Sequence, residues 1–163
     1  MTEGTKTNAM RLLEAKKVPY KAYYFSPEIH SAEGVAEALN LPPEMVFKTL
    51  VVVPANEAVE RTYLAIVPAR SQLDLKKLAQ ITREKKLRMA TQKQAEELTG
   101  LQVGGISALA LLNKGFRVYL DVSAQAFAEI LVSAGQRGIN IQVPVKELVR
   151  LTKARLADIA SPL

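Results

Sequence analysis

Three short segments of this sequence combine residue types that can do chemistry. The first is Phe47-Lys48-Thr49-Leu50, which sets a lysine inside the most apolar run of the chain, Val46 to Val53. By the two-residue period of a strand, Lys48 shares a side with Val46 and Leu50. A lysine so placed either snorkels from an edge strand to water or faces a cleft, where it meets a phosphate or carbonyl as a point charge. The second segment is Val103-Gly104-Gly105-Ile106-Ser107. Paired glycines let backbone approach a ligand closely and present N–H donors, as an oxyanion hole requires; the same pair also suits a plain turn or bulge. The third is Val132-Ser133-Ala134-Gly135-Gln136-Arg137-Gly138, a strand end running into a glycine turn. There Ser133 can hold a substrate group and Arg137 can meet a phosphate. A plain hairpin with a solvated arginine fits the same residues.

Other chemistries are thinned out by composition. The chain has no cysteine, so it offers no thiolate nucleophile, no disulfide and no cysteine-based zinc site. Its one histidine, His30, has no nucleophile elbow around it and reads as a surface residue near a helix start. There is no Walker-type phosphate loop, no dinucleotide fingerprint and no cluster of metal ligands, so no cofactor and no metal are expected. Lys and Arg number 22 against 16 Asp and Glu, a formal charge of +6. That excess points mildly toward a polyanionic partner, because neutralising phosphates releases counterions. Met1 to Lys6 is polar, without the apolar core of a signal peptide. No apolar run approaches the ~20 residues of a bilayer span. No membrane association is expected, and the default is a cytoplasmic protein.

Elements must bring the three segments together. Thr7 to Lys17 reads as a helix capped by Thr7 or Asn8, with Met10 and Leu13 on its apolar stripe. Tyr20 to Phe25 is strand-like. Ser31 caps a short helix through Val35, Ala36 and Leu39 that ends at Leu41-Pro42-Pro43. Val46 to Val53 and Thr62 to Val67 read as central strands joined by a polar hairpin connection, Pro54 to Arg61. Leu73 to Ile81 is amphipathic, Leu87 to Ala90 a short strand, and Thr91 to Gln94 a capping box for a helix ended by Gly100. Phe116 to Asp121 is a strand, and Ser123 opens a short helix. Ile130 to Ser133 and Ile139 to Val143 are strands, with Gly135 and Gly138 bracketing the turn between them. Pro144 suits the first position of a helix through Leu151. Strands and helices do not strictly alternate, so the expected fold is mixed α/β (α+β): about seven strands in one mixed sheet with flanking helices, in a single domain over residues 1–163.

The three segments together resemble the YbaK/EbsC family of aminoacyl-tRNA deacylases, related to the editing insertion domain of bacterial prolyl-tRNA synthetase. Thr7-Asn8-Ala9, Gln72-Leu73-Asp74-Leu75-Lys76-Lys77 and Ala157-Asp158-Ile159 extend the resemblance in order along nearly the whole chain. It implies a partly barrel-like sheet and hydrolysis of the ester joining a mischarged amino acid to tRNA. Within the family the chain is most similar to the YbaK branch, which clears cysteine from tRNA(Pro) with prolyl-tRNA synthetase as partner. That reaction is described as substrate-assisted: the cysteine thiol attacks its own ester carbonyl and leaves as a thiolactone. The resemblance assigns Lys48, Gly104 and Gly105 to catalysis. It assigns Phe25, Ile106, Ser107, Ser133, Gly135, Arg137 and Asn140 to substrate binding.

Three positions depart from the family pattern: Ala108 stands where proline is usual, Phe25 where tyrosine is frequent, and Asn140 where aspartate is common. They bear on which amino acid is removed. Editing of another small amino acid such as alanine, with water as nucleophile, is one alternative. A non-catalytic tRNA- or synthetase-binding module is another. No helix-turn-helix with a basic recognition helix is visible, so DNA is not expected as a partner. Lys76, Lys77, Arg83, Lys85, Lys86 and Arg88 form a diffuse basic set without interleaved aromatics, suited to backbone contact with little base readout. A monomer is the default at this size.

Overall fold

The structure, a computed structural model, describes residues 4–29, 31–56 and 61–163. His30 and most of the polar connection after Pro54 lie outside the described residues.

The chain opens with α1 (Asn8–Ala15), capped by the Thr7 hydroxyl, which accepts from the Met10 amide at 3.3 Å. Its Ala9, Met10 and Leu13 stripe is buried. Next come β1 (Lys21–Tyr24), α2 (Ala32–Leu39) capped by Ser31, β2 (Phe47–Pro54) and β3 (Tyr63–Pro68). A three-residue β4 (Ser71–Leu73) leads into α3 (Leu75–Thr82), where the Asp74 carboxylate accepts from the Lys77 amide. β5 (Leu87–Met89) precedes α4 (Gln92–Thr99), whose Thr91/Gln94 capping box is complete and whose C-cap is Gly100. After a 3₁₀ turn at Leu109–Lys114 come β6 (Arg117–Asp121) and a second 3₁₀ turn. β7 (Glu129–Gln136), β8 (Ile139–Pro144), α5 (Val145–Thr152), β9 (Arg155–Ala157) and β10 (Ala160–Pro162) complete the chain.

Two details differ from the sequence reading. Pro144 is the N-cap of α5, one position earlier than expected, because its ψ of 132° is extended. The turn after β6 is started by Asp121, whose carboxylate accepts from both the amide and the hydroxyl of Ser123.

The ten strands among the described residues form three sheets. The largest runs β5-β2-β3-β6-β9, with β2, β3 and β5 antiparallel and β3, β6 and β9 parallel. An antiparallel sheet β1-β8-β7 packs against it, and β10-β4 is a small ribbon at the margin. All seven expected strands are present; β4, β9 and β10, of three residues each, are additional. No sheet closes on itself, so the barrel-like character reduces to a single parallel bridge, Val46 to Leu131, joining β2 to β7.

The alternation along β2 divides the core of this mixed α/β domain. Phe47 and Val51 face the β7–β8 sheet and α1, while Val52 faces α3 together with Tyr63, Ala65 and Val67 of β3. Each face is apolar, as expected of a strand covered on both sides. Three of the helices end in residues other than glycine held in the left-handed region: Asn40 (φ 56°), Arg83 (φ 61°) and Lys153 (φ 57°).

Candidate active site

β2 is paired unevenly. β3 runs beside it from Phe47 to Val52, but β5 pairs only with Val52 to Pro54. The first half of β2 therefore has an open flank, and only the Val46–Leu131 bridge crosses it. A cleft of about 350 Å³ opens there. Its walls come from the start of β2, the segment after β1, the start of α2 at Ser31 and Val35, Ala69 after β3, the glycine loop at Val103 to Ile106, and the β7–β8 hairpin.

Lys48 lines this cleft and is half-buried. Its ammonium donates to the Ala69 carbonyl at 3.3 Å and pairs with no carboxylate among the described residues. Burial pushes its pKa below the ordinary lysine value, because a low-dielectric wall disfavours the charged form. Such a cation gains from an anionic or strongly polarised oxygen brought to it.

The glycine loop is held by Arg137. Its Nε donates to the Val103 carbonyl at 2.7 Å, and the guanidinium stem lies along Gly104, where a Cβ would sit 3.3 Å from Nε. Gly104 has φ +94° and is exposed to the cleft. Gly105 is placed differently. Its amide donates to the Gln102 carbonyl at 2.8 Å, and a Cβ there would come 2.8 Å from the Arg137 nitrogen and 3.0 Å from the Gln136 carbonyl carbon. Of the pair, one glycine faces the cleft and the other lets two backbones touch. A valine at Gly105 would force the loop away from the hairpin before it could fill the cleft.

The other candidate residues sort in the same way. Ile106, Ser133, Asn140, Phe25 and Arg137 line the cleft. Ser133 Oγ accepts from the Gly135 amide at 3.1 Å, across the bulge between Ser133 and Gln136, and its own proton is left to donate. Phe25 packs on the small cluster of Val35, Ala36 and Val46. Its amide donates to the Gly138 carbonyl at 2.9 Å, and a Cβ at Gly138 (φ +85°) would lie 2.8 Å from the Phe25 oxygen. Glycine is required there for both reasons. Ser107 and Gly135 are behind the wall: Ser107 is buried with Oγ accepting from the Ala110 amide at 3.3 Å, and Gly135 sits at the bulge. Thr49, unassigned from sequence, also lines the cleft, and its Oγ1 is buried without a hydrogen-bond partner. Its signal was adjacency to Lys48, which gives no direction for a hydroxyl.

The lining holds no Asp, Glu, His or Cys among the described residues. The site can therefore offer a partly desolvated cation, hydroxyl and amide donors and an apolar wall, but no general base paired to a nucleophile.

The profile of the aminoacyl-tRNA editing domain family matches residues 26–151, and the chain belongs to that family. It is 42% identical over 158 residues, 96% of this chain and 94% of the other, to EbsC of Enterococcus faecalis, which is named for deacylation of Cys-tRNA(Pro) and Cys-tRNA(Cys). It is 27% identical over 136 residues to a proline–tRNA ligase of Sulfurihydrogenibium, covering 83% of this chain but 22% of the ligase. Among solved structures, one described as a trans-editing enzyme for prolyl-tRNA synthetase superposes with a TM-score of 0.81 at 26% identity, over 97% of this chain and 99% of that one. Aminoacyl-tRNA is thus the substrate class. No helix among the described residues is long and apolar enough to cross a membrane.

Proposed function

We propose that this protein is a trans-editing deacylase that removes cysteine from Cys-tRNA(Pro), using the substrate's own thiol as nucleophile. The carrying observation is the cleft itself: among the described residues Lys48 is half-buried without an acidic partner, and no lining group is a carboxylate, histidine or cysteine fit to activate water. An enzyme so equipped needs a nucleophile that arrives with the substrate. The name of the Enterococcus faecalis relative supports cysteine as that amino acid.

In this reading the thiol sulfur attacks the ester carbonyl carbon. The developing oxyanion is stabilised by the Lys48 ammonium and by donors of the Gly104 loop. The bond from carbonyl carbon to the terminal ribose oxygen breaks, the thiol proton ends on that oxygen, and a thiolactone leaves. Ser133 and Asn140 line the amino-acid pocket, and Phe25 closes its apolar side. Arg137 fixes the loop and turns its remaining donors toward phosphate. The protein works mainly by positioning. It acts in the cytoplasm as a monomer, with prolyl-tRNA synthetase supplying the choice of tRNA.

The test is hydrolysis of Cys-tRNA(Pro) beside Ala-tRNA(Pro) by wild type and Lys48→Ala. Cysteinyl ester is expected to disappear and alanyl ester to persist. The variant should be slower by about 10²-fold or more, the usual consequence of losing an oxyanion-stabilising group. Its melting should move little, since Lys48 makes one long hydrogen bond. Equal hydrolysis of both esters would remove the thiol route in favour of water attack. Intact tRNA binding without hydrolysis would make the domain a binding module.

A further inference from the structure

A second, larger cleft of about 820 Å³ lies at the far end of β3 from Lys48. Its rim carries four cations, Arg83, Arg117, Lys153 and Arg155, all exposed. None of the four makes an ion pair or a side-chain hydrogen bond among the described residues, and no carboxylate lines the cleft. Arg83 and Lys153 are helix C-caps, where a positive charge also offsets the helix dipole. That account does not reach Arg117 and Arg155, which open β6 and β9. Between the four cations the lining mixes half-buried Phe116 and Leu151 with the polar Thr82, Thr152 and Tyr119.

Strand register relates this cleft to the Lys48 site. Lys48 pairs with Val67, Tyr63 pairs with Arg117, and Tyr119 pairs with Arg155. Paired residues share a face and alternate residues return to it. Lys48, Arg117 and Arg155 therefore stand on one face of the large sheet. Val67 and Tyr63 are four residues apart in β3, roughly 13 Å at the usual strand rise of about 3.3 Å. α3 covers that face between them, so an RNA strand that joins the two clefts passes over α3 and needs more than the roughly four nucleotides a direct path would take at about 3.4 Å each.

We infer that this basic cleft is a second nucleic-acid site, holding the sugar–phosphate backbone of the acceptor end while the aminoacyl terminus occupies the Lys48 cleft. Four cations without an ion pair among the described residues, around a mixed polar and apolar lining, suit phosphates with riboses or bases laid between them. The inference rests on the aminoacyl-tRNA reading for the identity of the RNA; the charge arrangement stands apart from the deacylation chemistry.

The test uses the full chain and an uncharged acceptor-stem RNA hairpin with a single-stranded 3′ end, followed by fluorescence anisotropy across a salt series. Arg117→Gln with Arg155→Gln should weaken binding about tenfold near 0.1 M salt and lower the slope of log affinity against log salt by about 2. Arg117→Lys with Arg155→Lys should keep the slope, which separates charge from fold. With Cys-tRNA(Pro), the glutamine pair should raise KM and leave kcat unchanged. A cysteinyl ester on a dinucleotide, too short to reach the cleft, should be cleaved at the wild-type rate. Unchanged affinity and slope in the glutamine pair would overturn the inference. So would retained RNA binding with lost capture of prolyl-tRNA synthetase, which would make the cleft a protein dock. Absence of all hydrolysis would count against the deacylase proposal, while the salt slope would still decide the cleft.

Discussion

Lys48 and Asp121 show two opposite ways of placing a charge in this fold. Lys48 has no acidic partner among the described residues, and burial lowers its pKa, so its ammonium is weakened by the site. Below the lowered folded pKa the buried charge detracts from stability. That penalty is relieved as pH rises through the folded pKa toward the unfolded value. Activity that depends on the ammonium should therefore fall on the alkaline side earlier than for a solvated lysine, which a pH–rate profile would reveal. Asp121 is buried too, and burial alone would push its carboxyl up. Hydrogen bonds from Ser123 and from the amides of Ile159 and Ala160 overcome that and hold it below the usual aspartate value. Its contribution is complete above the ordinary aspartate pKa and is lost as pH falls through the lowered folded value. Asp121→Ala should lose about 2–4 kcal/mol, because buried donors are left unpaired. The measurement is thermal melting from pH 2 to pH 7, in which the variant should lose most of the acid dependence of the wild type. Equal melting curves would show that this junction carries no weight. The residue scale is also where sequence reading was weakest. Gly104 and Gly105 are indistinguishable as letters, and only the approach of the Gln136–Arg137 backbone tells them apart.

At the scale of elements, legibility follows how local the determinants are. α1, α2 and α4 carry their own caps in Thr7, Ser31 and the Thr91/Gln94 box, so a reader of the sequence finds their starts. The three-residue β5 lies within the expected Leu87–Ala90 strand, and the six longer strands announce themselves by apolar or aromatic runs. β4, β9 and β10 do not: Ser71–Leu73, Arg155–Ala157 and Ala160–Pro162 are mostly exposed or half-buried and become strands only because partners lie beside them. The cleft was legible only in its parts. It forms because β5 stops short along β2, and the length of a neighbouring strand is not written in Phe47-Lys48-Thr49-Leu50. Ala108 gives a prediction at this scale. It begins the 3₁₀ turn behind the glycine loop with φ −62° and ψ −34°, a φ that proline adopts without strain. Ala108→Pro should stabilise the domain by about 0.4–1 kcal/mol through the unfolded chain. Denaturant unfolding would check it, and a loss of more than 1 kcal/mol would mean that the turn has no room for the ring.

The whole molecule puts its two clefts at opposite ends of one strand, β3, with α3 packed against the face that joins them. The net charge of +6 pointed to a polyanion without saying where it would lie. Counting lysines along the chain favoured Lys76 to Arg88, but sheet register gathers Arg117 and Arg155 beside Arg83 from positions far apart in sequence. Charge location is a tertiary property.

The left-handed helix ends carry a practical consequence for anyone seeking a hardier form of this protein. Arg83 and Lys153 hold backbone angles that glycine adopts more easily. Arg83→Gly and Lys153→Gly should each gain about 0.5–1 kcal/mol, or roughly 1–4 °C in melting temperature for a chain of this size. Both replacements strip cations from the rim of the larger cleft. A heat-resistance screen scored on survival alone would collect these changes and discard RNA affinity with them. Scoring retention on an RNA column alongside the melting curve would keep the two properties apart.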